Sequence, residues 1–134
     1  MCKFRNMSLK LYYSIFALTI IQGCSYSQKC SDFHNGTFEI ADKEHDYFGL
    51  IVRNDSVQIE TNQKTGKITK CSINWINDCT YELTYLETDS PIIEPLIGKK
   101  LTTEINSIDG KVIYFTSTLD GIEFEAEHLM TKIK

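Results

Sequence analysis

Residues Lys67–Tyr85, KITKCSINWINDCTYELTY, alternate in two short runs with a break between them. Cys71, Ile73 and Trp75 recur at every second position, and so do Cys79, Tyr81, Leu83 and Tyr85. A period of two belongs to a strand with one covered face. Bringing both apolar sets onto one face requires Trp75 opposite Cys79, with Ile76-Asn77-Asp78 as a three-residue turn. Asn and Asp tolerate the left-handed backbone that such turns need.

The same alternation runs outward from this hairpin. Asn35-Gly36 precedes Thr37–Ile40, where Phe38 and Ile40 alternate with polar neighbours, and Asp42–Asp46 reads as a charged loop. Tyr47–Arg53 and Ser56–Thr61 flank Asn54-Asp55. A two-residue turn there pairs Val52 with Val57 and Leu50 with Ile59 and gives both strands a shared apolar face. Thr65-Gly66 leads into the Cys71–Trp75 strand. Asp89–Gly98 holds both prolines, Pro91 and Pro95, and is the longest irregular segment. Leu101–Ile108 and Lys111–Leu119 flank Asp109-Gly110, and Asp120-Gly121 leads to a last strand over Ile122–Lys132. A two-residue turn at Asp120-Gly121 aligns Phe115, Leu119, Ile122, Phe124 and Ala126, and turns Glu123, Glu125 and Glu127 to water.

Hairpin after hairpin with little helical periodicity predicts an all-β domain of about eight antiparallel strands in an up-and-down meander. A flat meander leaves its apolar face and edges bare, so it must curl or close. The expectation is a small calycin-like barrel or a strongly curved sheet, with two packed sheets as the alternative.

The first two dozen residues do not fit this pattern. Met1–Lys10 carries Lys3, Arg5 and Lys10 and no acid, and Leu11–Ile21 is an uncharged, mostly apolar run of 11 residues. That is short for a membrane-spanning helix and suits the core of an export signal. It ends at Ile21-Gln22-Gly23-Cys24, which resembles a lipobox in its aliphatic Ile21 and small Gly23, while Gln22 is a looser match. The expected division is a lipoprotein signal peptide over 1–23, an acylated cysteine and tether over 24–29, and one β domain over 30–134. Each acyl chain on Cys24 would contribute about 0.8 kcal/mol per buried CH₂, and two or more would hold the domain stably on a membrane. Ser25 lacks the aspartate of inner-membrane retention, and Ser25–Lys29 has no acidic run. The expected address is therefore the periplasmic face of the outer membrane.

Loss of residues 1–23 leaves 11 Lys and Arg against 18 acids and moves the formal net charge from −4 to −7. Such a domain lacks the basic footprint of a nucleic-acid binder. With Cys2 removed and Cys24 acylated, Cys30, Cys71 and Cys79 remain, in a compartment where one bridge and one thiol are expected. In the hairpin register above, Cys71 lies opposite Leu83, roughly 13 Å along the strand from Cys79 at ~3.3 Å per residue, too far for a disulfide. Cys30–Cys79 is then the favoured bridge, with Cys71 a small buried hydrophobe. No CxxC pair and no HxxxH spacing points to a metal, and none is expected.

Chemistry-bearing patterns are sparse. His34, His45 and His128 are the natural general bases, yet none sits in a nucleophile motif, and there is no P-loop, no GxGxxG and no G-x-S-x-G elbow. No cofactor and no catalytic residue is expected. Trp75, Tyr81, Tyr85, Phe115 and Phe124 all point inward in these registers, and His128 with them. They form either a barrel core or the candidate lining of an apolar pocket with a few hydroxyls for orientation. Asp55-Ser56-Val57 is similar to the short O-glycosylation motif of exported Bacteroidota proteins.

Two segments, Cys30-Ser-Asp-Phe33-His-Asn-Gly36-Thr-Phe38 and Ile73-Asn-Trp75-Ile-Asn77-Asp78-Cys79-Thr-Tyr81, carry a wider likeness. With Arg53-Asn-Asp-Ser between them, they resemble a family of short uncharacterised Bacteroidota proteins, flavobacterial in the main. That family pairs a lipoprotein-type signal with C-x-x-F-x-x-G-x-F and W-x-N-D-C-x-Y spacing. The likeness covers Cys30–Tyr81 and loosens after Glu87. It implies export and the Cys30–Cys79 bridge, and it brings no activity. Some members carry a DNA topoisomerase IV label, which a short, acidic chain without an ATPase motif does not support.

The expected function is that of a non-catalytic cell-envelope lipoprotein whose β domain binds a protein or glycan near the membrane. The alternative is a carrier of a small apolar ligand in the aromatic-lined pocket, and an enzyme ranks below both. The anchor is directly testable: labelled fatty acid is expected to enter the protein in growing cells and to be absent from a Cys24→Ala variant, and equal labelling of both would sink the assignment.

Overall fold

The protein's computed structural model describes residues 28–120, 122 and 125–134. The expectations placed on residues 1–23, on Cys24, on Phe124 and on the side chains of Glu123, Glu125 and Glu127 lie outside the described residues. Eight strands follow a short 3₁₀ turn, η1 (Cys30–Phe33): β1 (Gly36–Asp42), β2 (Tyr47–Arg53), β3 (Val57–Asn62), β4 (Ile68–Asn77), β5 (Thr80–Thr88), β6 (Lys100–Asp109), β7 (Val112–Leu119) and β8 (Glu125–Lys132). Each pairs antiparallel with its neighbours in chain order, and β8 returns to β1, so the sheet is a closed barrel. This is the small calycin-like, up-and-down arrangement, and closure removes the edges that a meander would leave bare.

Two ends follow from the strand directions. The β2–β3, β4–β5 and β6–β7 turns, η1 and the C-terminus gather at one end, and the longer 43–46, 63–67 and 89–99 connections at the other. The first end is sealed. Phe33 of η1 is 2% exposed and covers the barrel opening beside Phe38. Burying such a ring contributes about 1.5–3 kcal/mol. Cys30 is joined to Cys79 of the β4–β5 turn, so a disulfide staples η1 across the opening. Its loop spans a sequence separation of 49 residues. Closing it contributes at most about 4 kcal/mol on the chain-entropy account.

Against the inner side of the plug lies Arg53, 3% exposed. Its Nε donates to Gln58 Oε1 at 2.9 Å, one terminal nitrogen to the Phe33 carbonyl at 3.3 Å and the other to Tyr81 Oη at 2.9 Å. The guanidinium also sits 4.5 Å from the Tyr81 ring centroid and 5.0 Å from that of Phe38. A guanidinium suits this role because its charge is diffuse and its donors fan out in one plane.

Three registers differ from the sequence reading. In β4–β5, Trp75 faces Tyr81 rather than Cys79, and Cys71 faces Tyr85 rather than Leu83, with irregularities at Lys70/Cys71 and between Trp75 and Asn77. The turn is tighter because Asn77 Oδ1 accepts the Cys79 N–H. In β7–β8, Phe115 faces His128 and Ser117 faces Ala126, two residues out from a turn at Asp120-Gly121. In β2–β3, Val52 faces Ile59 and Arg53 faces Gln58, because Asn54 Oδ1 caps Ser56 and Val57 and lengthens the loop. Each shift is by two residues, which preserves which side chains share a face.

The β2–β3 face itself is the larger correction. Leu50, Val52, Val57 and Ile59 do share a side, but it is the outer one, with Val52 49% and Ile59 39% exposed. The interior side carries Ile51, Arg53, Gln58 and Glu60. Arg53→Met keeps much of the volume but leaves Gln58, Tyr81 and the Phe33 carbonyl without their donor. It is expected to cost about 3 kcal/mol or more, and Arg53→Lys should recover less than half of the loss for want of the planar fork. Denaturant titration of the three proteins checks this, and wild-type stability for Arg53→Met would refute it.

Candidate functional site

Above the Arg53 layer the barrel is hollow. A cavity of about 250 Å³ opens toward the long-loop end. Its floor is Gln58 and Tyr81, and its walls are mostly apolar: Ile40, Ile51, Leu83, Leu101, Phe115, Leu119 and Met130. Leu96, from the short 3₁₀ turn in the 89–99 connection, reaches in from above. Strand alternation produces this lining, since every second residue of a closed barrel must point inward.

A few polar groups converge on the cavity, chiefly from β3, β4 and β5. Glu60 is its one acidic side chain among the described residues, and no Lys or Arg lines it. Tyr47 donates its phenolic hydrogen to Glu60 Oε1. Burial pushes the Glu60 carboxyl above the ordinary glutamate range, opposed by the Tyr47 hydrogen bond and by the charge of Arg53. Burial likewise raises the phenols of Tyr47 and Tyr85, with the Glu60 charge adding to both. The Cys71 thiol is pushed up to about 12, first by burial and then by Glu60, so it is a neutral lining group rather than a nucleophile. On the far wall Thr103 and Ser117 bond to each other at 2.9 Å.

Glu60 and Tyr85 also line a smaller recess at the mouth, with Tyr47, Lys67, Thr69 and Ile93. Ile92, 85% exposed, forms the outer lip. A second opening lies at the barrel seam. Strands β1 and β8 share only the pairs Phe38–Lys132, Glu39–Thr131 and Ile40–Met130. Beyond them, Phe115 and His128 line both the interior cavity and an outer groove bounded by the 42–45 loop.

Of the pocket residues expected from sequence, Tyr81, Tyr85, Phe115 and His128 line the cavity. Trp75 does not. It packs at the sealed end, 3.5 Å from the His34 ring in a stacked pair and 4.6 Å from Tyr81, and its buried Nε1 has no hydrogen-bond partner among the described residues. His34 Nε2 donates to the Asp78 carbonyl at 2.8 Å and completes that clamp. His45 pairs with Asp42 on the surface at 2.7 Å. That contact lowers the Asp42 carboxyl and raises the His45 imidazole, while Asp42 also caps the Glu44 and His45 amides as a loop residue does. Sequence reasoning missed Glu60, Gln58 and Tyr47, because a charged residue alternating with Val57 and Ile59 reads as solvent-facing.

Compared with protein-family models, with curated proteins and with solved structures, the chain matches none. The functional reading therefore rests on the geometry of the barrel.

Because the folded state holds the Glu60 proton more tightly than the unfolded chain, its contribution to stability is complete below the ordinary glutamate range. It is lost as pH rises through the raised value. Glu60→Gln should therefore gain on wild type in melting temperature as pH rises from the ordinary glutamate range upward. Tyr47→Phe, which removes the hydrogen bond favouring the ionised carboxylate, should widen the wild-type dependence. Parallel melting curves of Glu60→Gln and wild type over that rise in pH would contradict the assignment.

Proposed function

We propose that this barrel is a non-catalytic binder of one small, mainly apolar molecule, held in the cell envelope by an acyl anchor at Cys24. The observation that carries the reading is the hollow itself: a cavity of about 250 Å³ with apolar walls and a few polar groups, closed at one end and open at the other. An eight-stranded barrel is wide enough either to fill with side chains or to hold one small ligand. The volume equals about eight waters and suits a ligand of roughly eight to ten non-hydrogen atoms. Gln28 lies beside the sealed end, near Phe33 and Lys132. A lipid on Cys24, at most about 14 Å of extended chain away, would turn the mouth away from the membrane, toward a diffusing ligand.

A partner-binding role, for protein or glycan, draws support from one observation. Val52, Ile59 and Ile68 stand 49%, 39% and 47% exposed on the outer face of β2, β3 and β4. Native mass spectrometry without reductant on the protein purified from its own envelope separates the two. The carrier reading expects a reproducible small-molecule adduct, lost in Ser117→Leu, which fills the cavity, and kept in Ile59→Lys, which alters only the outer face. Bare protein from several growth conditions, together with envelope cross-links abolished by Ile59→Lys, would favour the partner reading instead.

A further inference from the structure

We infer that the cavity selects a small protonated amine, an ammonium group on an apolar alkyl or aralkyl body, with Glu60 as its acceptor. The inference rests on the ligand-binding reading and adds the chemistry of the head group. A ligand that enters the barrel meets one acidic side chain, Glu60, and no Lys or Arg among the described residues. One Glu60 oxygen is met by the Tyr47 hydroxyl, its one hydrogen-bond donor among the described residues. The group is thus held in place by a phenol and keeps acceptor capacity for a second donor, because an ionised carboxylate offers about four lone-pair sites. Tyr85, across from Cys71 on the neighbouring strands, brings a second phenol ring to the same region, and aromatic faces favour an ammonium over an anion.

The alternatives fit less well. A carboxylate or phosphate ligand would be repelled by an ionised Glu60 and would find no lining Lys or Arg, with His128 the one basic side chain on the cavity among the described residues. Arg53, the interior's buried cation, stands behind the Gln58–Tyr81 floor with each nitrogen bonded to protein. Lys67 stands at the mouth rather than in the cavity. A neutral alcohol could share one hydrogen bond with Glu60 but would leave the carboxyl in the protonated form that burial favours, with no ion pair formed. An ammonium both donates and neutralises. The opposite wall of Leu101, Phe115, Leu119 and Met130 then takes the apolar body.

The test uses three molecules that share one body and differ in head group: phenethylamine, 2-phenylethanol and phenylacetate, titrated calorimetrically into the purified full chain. The amine is expected to bind at least about tenfold tighter than the alcohol, a charge-assisted against a neutral hydrogen bond, and phenylacetate not to compete. Glu60→Gln should erase the amine's advantage while leaving alcohol affinity within about threefold, and Tyr47→Phe should keep most of it. Phenylacetate as the tightest ligand, or an amine preference that survives Glu60→Gln, would overturn the assignment of the head group and leave the cavity as a ligand site. Failure of all three, with bare protein in the native mass spectrum, would overturn the ligand-binding reading as well.

Discussion

The rest of the barrel is arranged around the burial of the Arg53 guanidinium. A cation that is 3% exposed is tolerable only when each of its nitrogens finds an acceptor. Here the three nitrogens find theirs on three separate parts of the chain: Gln58 on β3, Tyr81 on β5 and the backbone of η1 at Phe33. One side chain thus ties two strands that are not neighbours to the segment that plugs the barrel. Phe38 and Tyr81 add their ring faces to the same group. The layer above inherits a polar floor, and the layer below a fixed lid.

The two ends divide the labour between stability and function. The sealed end concentrates the strong constraints: the Cys30–Cys79 bridge, the Phe33 plug, the His34–Trp75 stack and the Lys132 ammonium on the Asp32 carbonyl at 2.6 Å. The other end is built from longer connections with exposed apolar residues such as Ile92 and Ile97. A rigid floor and a looser rim suit a site that must admit and release a molecule, since local stability falls where buried apolar contacts are few. Glu60 sits where the two regimes meet, low enough for burial to raise its titration and high enough to reach the mouth recess.

Much of the architecture was legible in the chain. Alternation with short turn signals is a local property, and it marked the strands and their antiparallel order. The Cys30–Cys79 pairing was legible as well, because a strand's fixed rise keeps Cys71 and Cys79 apart whichever of the two registers the hairpin takes. The cavity lining was legible only in part. Tyr81, Tyr85 and Phe115 lie on strands where the apolar side is the inner side. On β2 and β3 that relation is reversed, and Arg53, Gln58 and Glu60 were hidden by the more apolar face opposite them.

The sequence by itself determined which residues share a face, because side chains alternate along any strand whatever its neighbours do. Only the tertiary structure decided which of the two faces of β2 and β3 turned inward. That choice depends on contacts with η1, β5 and β8, which are far away in the chain, and on whether a buried guanidinium finds enough acceptors there. Registers were settled at the same level, because an asparagine side chain capping a turn moves a hairpin by two residues without disturbing its pattern. The polar centre of the cavity is a product of closure: Glu60 becomes an interior group only when β8 meets β1.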